Sequence, residues 1–183
     1  MLLKNIIPID LIEQAVDRID QSIDRAKSIG PIRDEQITNN DTVSWISLLP
    51  ELHDYIQKPL EEYFKVKLRK TNDFGRVYTQ GAELISHYDN WHCEFSASLN
   101  LMNIPSDNSW PFYTSPTDNL SIEDWTGYKM KPGDAVAYKG EEVYHKRLVL
   151  DYEECYQWFF HFIEKNGQYD NEQYYYKTYE RYK

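Results

Sequence analysis

The segment 95–101 constrains the fold most. Phe95, Ala97, Leu99 and Leu101 alternate with Ser96, Ser98 and Asn100, the two-residue period of a strand that shows one face to an apolar core and the other to polar surroundings. A polar inner face implies a pocket. Short β-rich runs recur at 76–79, 83–88, 135–138 and 156–163, separated by turn signals such as Gln80-Gly81, Pro105-Ser106-Asp107-Asn108 and Lys131-Pro132-Gly133-Asp134. Strands that follow one another without intervening helices predict a sandwich or barrel, not a parallel βαβ sheet. No internal repeat is visible.

Ahead of these strands the period is helical. Leu11, Ile12, Ala15, Val16, Ile19, Ile23 and Ala26 recur at steps of three and four, which predicts an amphipathic helix over 10–27 and a break at Gly30-Pro31. The polar stretch 34–42 reads as a surface loop. A second helix is predicted over 50–63 from Leu52, Tyr55, Ile56, Leu60 and Tyr63, with Pro59 expected to kink or divide it. The chain thus reads as a single domain, 1–183: a helical support over 1–72, a β core over 73–165, and a tyrosine-rich extension over 166–183 that packs as a short helix or stays mobile.

Composition narrows the function. The chain has 183 residues, 20 basic and 30 acidic, for a formal charge of -10. That balance repels phosphate backbones, and no basic cluster offsets it, so no nucleic-acid partner is expected. The two cysteines, Cys93 and Cys155, have neither metal-site spacing nor a disulfide framework, which points to a reducing cytoplasm. The apolar start is interrupted by Pro8, Asp10 and Glu13, short of a signal peptide, and no run approaches the roughly 20 apolar residues of a membrane span. No membrane partner is expected. Sixteen tyrosines fit a β core in which phenol hydroxyls find partners.

Chemistry gathers in Ser86-His87-Tyr88-Asp89. Residues two apart on a strand share a face, so His87 and Asp89 can hold one ion. His145, beyond the Pro132-Gly133-Asp134 turn and the apolar run 135–138, would return across a barrel to complete a facial triad with open positions for substrate and oxygen. Taken singly, His87 reads equally as a pocket histidine and Asp89 as a turn or capping residue. Of the other histidines, His53 is expected at the solvent side of the second helix and His92 in a turn, with a place over the site as its alternative. His161 shares a face with Gln157 and Phe159, as a hydrogen-bonded core residue or a border of the pocket.

These residues resemble the 2-oxoglutarate- and iron(II)-dependent oxygenases of the prolyl-hydroxylase-like branch, especially short bacteriophage and bacterial members. The resemblance runs from Arg76-Val77-Tyr78-Thr79-Gln80-Gly81 through His87-Tyr88-Asp89, 93–101, Trp110-Pro111, Lys131-Pro132-Gly133-Asp134 and 138–145 to the closing run 157–162. It implies a double-stranded β-helix, a cupin-like jelly-roll barrel, with iron(II) on His87, Asp89 and His145. It also implies 2-oxoglutarate and O2 as co-substrates, succinate and carbon dioxide as co-products, and hydroxylation of a protein side chain or a small molecule in the cytoplasm of a bacterial or phage-infected cell.

The chain departs from the family where a basic residue usually holds the far carboxylate of 2-oxoglutarate, a short way past the second histidine. Here stand Glu154, Cys155, Tyr156 and Gln157. A buried carboxylate needs a cation or several donors, so the candidates are Arg147 and Tyr78 first, then Lys146, Arg76 and Lys139. The alternative for Lys146 and Arg147 is a solvated surface pair. The missing anchor keeps two other readings open: a non-catalytic metal- or ligand-binding jelly roll, and a cupin-type metalloenzyme that does not use 2-oxoglutarate. The segment 105–128, with Trp110, Phe112, Tyr113 and Trp125, reads as a lid or substrate wall, or as ordinary loop packing. Neither substrate identity nor oligomeric state is written in these motifs.

Overall fold

The computed structural model describes residues 1–29, 35–39, 43–46, 49–118 and 121–171. Two antiparallel sheets form a jelly roll. The larger has the order β1 (Leu2–Leu3), β9 (Ala135–Tyr138), β6 (Phe95–Ile104), β11 (Glu154–Glu164), β4 (Leu68–Thr79) and β3 (Val43–Ile46). The smaller runs β2 (Ile37–Thr38), β5 (Glu83–His87), β10 (Tyr144–Arg147), β7 (Phe112–Ser115) and β8 (Thr126–Tyr128).

The alternation in β6 divides two environments. Phe95, Ala97, Leu99 and Leu101 join Trp158, Phe160 and Phe162 of β11 in the main core, under the helices. Ser96, Ser98 and Asn100 are equally buried but face the barrel interior, where they meet His161, Gln157 and Asn103. β11 pairs with β6 and with β4 along most of its length, so the two polar rows lie side by side. At Gly75 a Cβ would stand 2.0 Å from the ring of Trp158, its partner in register, so only glycine lets that indole lie flat on the sheet.

Helix α1 (Ile9–Ile29) buries Ile12, Ala15 and Ile19 on the large sheet. α2 (His53–Phe64), entered through a 3-10 turn at Pro50–Leu52, buries Ile56 and Leu60. It runs unbroken through Pro59, contrary to the expected division. A proline inside a helix costs about 3 kcal/mol, whereas burying Leu52, Ile56 and Leu60 contributes roughly 1.5–3 kcal/mol each. The left-handed Lys65, φ 59°, ends the helix by donating its N–H to the Glu61 carbonyl.

The helical first third is only partly so. β4 begins at Leu68, ahead of the expected boundary at 73, and β1, β2 and β3 lie at sheet edges. The loop expected over 34–42 contains β2, where Ile37 is buried; strands of two residues are too short to show a period. Residues 30–34, 40–42 and 172–183, with the Gly30-Pro31 break and most of the tyrosine-rich tail, fall outside the described residues. The segment 105–128 carries β7 and β8 of the smaller sheet: Trp110 and Trp125 are buried, the Trp110 indole N–H donates to the Leu148 carbonyl at 2.6 Å, and Phe112 lines the barrel cavity as part of its wall. Among the described residues no helix is long and apolar enough to cross a membrane.

Candidate metal centre

Strand pairing builds the site. β5 and β10 are antiparallel neighbours with His87 directly opposite His145, so both rings leave the sheet on one face, centroids 4.2 Å apart. Asp89 follows just beyond β5, its backbone N–H donating to the Gly140 carbonyl at 2.8 Å. The carboxylate Oδ1 stands 3.8 Å from His87 Nε2 and 3.6 Å from His145 Nε2. These gaps are too long for hydrogen bonds. They suit donors that share one ion at bond lengths of about 2.1 Å.

Both imidazoles are oriented for that task. His87 Nδ1 lies 2.8 Å from the Ile85 carbonyl and His145 Nδ1 3.2 Å from that of Val143. A carbonyl can only accept, so each Nδ1 carries the proton and each Nε2 offers its lone pair inward. Burial, with His87 alongside, holds His145 well below the usual histidine range, so it is neutral and able to ligate. Burial pushes the Asp89 carboxyl up to about 7, against the pull of hydrogen bonds from Ser96 and Tyr138. Two imidazoles with Nε2 turned inward, and a carboxylate that among the described residues has no lysine or arginine partner, fit a divalent metal, which supplies positive charge.

A second ring of residues surrounds Asp89. Ser96 Oγ is 3.3 Å from Asp89 Oδ2 and 2.9 Å from His161 Nδ1. At Gly140 a Cβ would lie 2.1 Å from the Cys93 carbonyl oxygen and 2.7 Å from Asp89 Oδ2, so the loop approaches the carboxylate only as glycine. Tyr138, fully buried, donates to the same carboxylate. The polar alternation of β6 was the available signal for Ser96. Nothing in the sequence marked Gly140.

The triad opens into a cavity of about 170 Å³ whose lining includes Arg76, Tyr78, Phe112, Tyr138, Phe159 and His161. Arg147 is packed beside Phe112, its guanidinium carbon 5.0 Å from that ring's centroid, rather than on the surface. It is wholly buried and donates to the Trp110 carbonyl, to Ser98 Oγ at 3.1 Å and to Gln157 Oε1 at 3.0 Å. Its Nε has no hydrogen-bond partner, and among the described residues no carboxylate pairs with it. Burial raises the Tyr78 phenol, offset by the nearby Arg76 and Arg147. The surface-pair alternative therefore fails for Arg147. Lys146, one residue back on the strand, points the other way, its Nζ 3.9 Å above the Trp125 ring, and Lys139 pairs with Glu142 at 2.8 Å.

His92 lies in the 3-10 turn Trp91–Cys93 and also lines the cavity. His161 is both hydrogen-bonded and a border of the pocket; burial takes it down to about 3, so it is neutral. His53 departs from expectation. It is buried, with Nε2 3.2 Å from Asp73 Oδ2. It sits three and seven residues before Ile56 and Leu60, on the packed face of α2.

No family model and no curated protein matches this sequence. Solved structures do match its fold. A prolyl-4-hydroxylase from Pseudomonas putida superposes with a TM-score of 0.66 at 15% identity, over 91% of this chain and 92% of its own. A viral collagen prolyl hydroxylase from Paramecium bursaria Chlorella virus-1, in complex with 2-oxoglutarate, gives 0.57 at 15%, over 88% and 94%. HygX from Streptomyces hygroscopicus, with nickel and 2-oxoglutarate bound, gives 0.63 at 12%, over 91% and 83%. The fold of this chain is the jelly-roll barrel of the 2-oxoglutarate–Fe(II) oxygenases.

Proposed function

We propose that this chain is an iron(II)- and 2-oxoglutarate-dependent dioxygenase that hydroxylates a protein side chain or a small molecule, with succinate and carbon dioxide as co-products. The observation that carries the reading is the convergence of His87 Nε2, Asp89 Oδ1 and His145 Nε2 at the floor of a cavity, with both Nδ1 atoms committed to backbone carbonyls. When bound, the metal and 2-oxoglutarate supply the oxidative chemistry with O2.

The residues of the chain do the rest. His87, Asp89 and His145 would hold the ion, and the cavity beside them would give co-substrate and O2 access to it. Arg147 supports a place for the far carboxylate of 2-oxoglutarate: its buried charge meets only neutral acceptors and one of its nitrogens is unbonded, which an incoming carboxylate would remedy. Tyr78, and Arg76 on the same cavity wall, are the accompanying donors. Phe112, Tyr138 and Phe159 supply aromatic walls to the cavity beside the triad.

Prolyl hydroxylases among the fold neighbours favour a protein side chain as substrate, and the neighbour holding hygromycin B marks the small-molecule alternative. The formal charge of -10 disfavours nucleic acid. Two free, buried cysteines fit a reducing compartment, the cytoplasm.

Anaerobic loading with iron(II) followed by 2-oxoglutarate titration tests the reading. A visible metal-to-ligand charge-transfer band is expected, with succinate formed once air is admitted. Bound iron without that band would sink the co-substrate assignment, and full iron occupancy in His87→Ala or His145→Ala would sink the ligand assignment.

A further inference from the structure

We infer that His161 and Ser96 form a one-way hydrogen-bond chain that fixes which oxygen of Asp89 faces the ion, making both of them positioning residues for the metal. The inference rests on the metal-dependent reading above and adds two residues to it.

Asp89 belongs to two groups of potential ligands, the triad and a second set with Cys93 and His161; in each set the donor atoms lie within 4.8 Å of one another. The second set is not an open site, because the Ser96 hydroxyl stands inside it. Ser96 Oγ is 2.9 Å from His161 Nδ1, 3.1 Å from the Cys93 carbonyl oxygen and 3.3 Å from Asp89 Oδ2. A hydroxyl carries one proton and two lone pairs. A bond from it to His161 would leave a lone pair facing the carboxylate. The Cys93 carbonyl would take the proton as a neutral acceptor and likewise leave a lone pair facing the carboxylate; the charge-assisted choice gives it to Oδ2, and His161 then donates its Nδ1–H to Oγ. The order is His161 Nδ1–H to Ser96 Oγ, then Ser96 O–H to Asp89 Oδ2.

The ring that begins the chain is held in place. His161 is buried and stacked on Phe74, centroids 5.7 Å apart and planes 27° apart. With Oδ2 engaged, Oδ1 alone is left toward the two Nε2 atoms. A carboxylate that binds through one oxygen takes one coordination position. One that swung to bind through both would take a position needed by co-substrate or O2.

Anaerobic cobalt(II) titration of the full chain, followed by visible ligand-field absorption, tests this. Ser96→Ala should weaken cobalt(II) by roughly 10–100-fold and alter the band envelope, as loss of a ligand's supporting hydrogen bond does, and Ser96→Thr should restore both. His161→Phe should weaken binding less, because the Ser96 hydroxyl remains, and should add nothing in a Ser96→Ala background. In the wild-type, zinc-loaded protein, nitrogen-15 shifts should show His161 protonated at Nδ1. Wild-type affinity and spectrum in Ser96→Ala, a His161 effect that persists without Ser96, or protonation at Nε2 overturns the inference alone. Failure of the wild-type chain to bind cobalt(II) overturns the metal-dependent reading and this inference with it.

Discussion

Two carboxylates on opposite sides of the large sheet are largely withdrawn from water and respond in opposite ways. Asp73 of β4 faces the helices. Burial alone would raise its pKa, but hydrogen bonds from His53 and Lys70, and the charge of Lys70, hold it at about 2. Trp158 adds an indole N–H at 3.3 Å. Asp89 faces the barrel interior, where burial prevails and carries it up to about 7. Lys70 gives Asp73 a resident cation, and among the described residues no lysine or arginine does the same for Asp89. A carboxylate with resident partners is part of the scaffold; one held without them is a candidate ligand.

The sharpest way to break that contrast is to neutralise each in turn. Asp89→Asn should reduce metal binding below detection while stabilising the metal-free protein at neutral pH by up to roughly 4 kcal/mol, because an uncompensated charge is removed. Cobalt(II) titration and urea unfolding check the two halves, and unchanged metal affinity would end the ligand assignment. Asp73→Asn should do the reverse, leaving metal affinity intact while costing about 3 kcal/mol as Lys70 and His53 lose their buried partner.

Gly140→Ala sits between these cases. The added methyl must push on the Cys93 carbonyl and on Asp89, so metal affinity should fall by roughly 10–100-fold with a smaller change in melting temperature. An affinity loss no larger than the stability loss would show that the loop matters only for folding.

The gentlest test is pH. Asp73 is depressed, so its contribution is present above the ordinary carboxylate range near 4 and is lost as pH falls toward about 2. Asp89 is raised, so its contribution to metal-free stability falls as pH climbs from near 4 through about 7. His145 and His161, held below the ordinary histidine range, add stability as pH climbs over the same span, so the Asp89 contribution is read as the difference between the metal-free wild type and Asp89→Asn. That difference should grow as pH climbs from near 4 through about 7, and a difference that stays flat would detach the slope from Asp89.

Much of this was legible in the residues. The period of two in 95–101 and the His87–Asp89 spacing led to the barrel and to one side of the site, because both are local properties of a strand. His145 was legible through the turn and strand before it. The direct pairing of His87 with His145 was not, since register belongs to two strands. His161 was legible as a hydrogen-bonded border of the pocket and Ser96 as part of its polar face, but their place beside Asp89, and that of Gly140, escaped for the same reason: each matters there through a residue brought near by folding. Arg147 could be read as anchor or surface residue, and neutral acceptors on other elements, Ser98, Gln157 and the Trp110 carbonyl, draw it inside. His53 was misread although it lies on the packed face of α2, because its partner Asp73 is on another element.

The register of β5 against β10 has one more consequence. A ligand on each of two directly opposed residues makes a bound ion a cross-strand staple, closing the small sheet at the point where its ladder is irregular between His145 and Arg147. Amide hydrogens of both strands would then exchange more slowly with solvent when the ion is present, and would do so together, so that occupancy of the site is written into the breathing of the sheet.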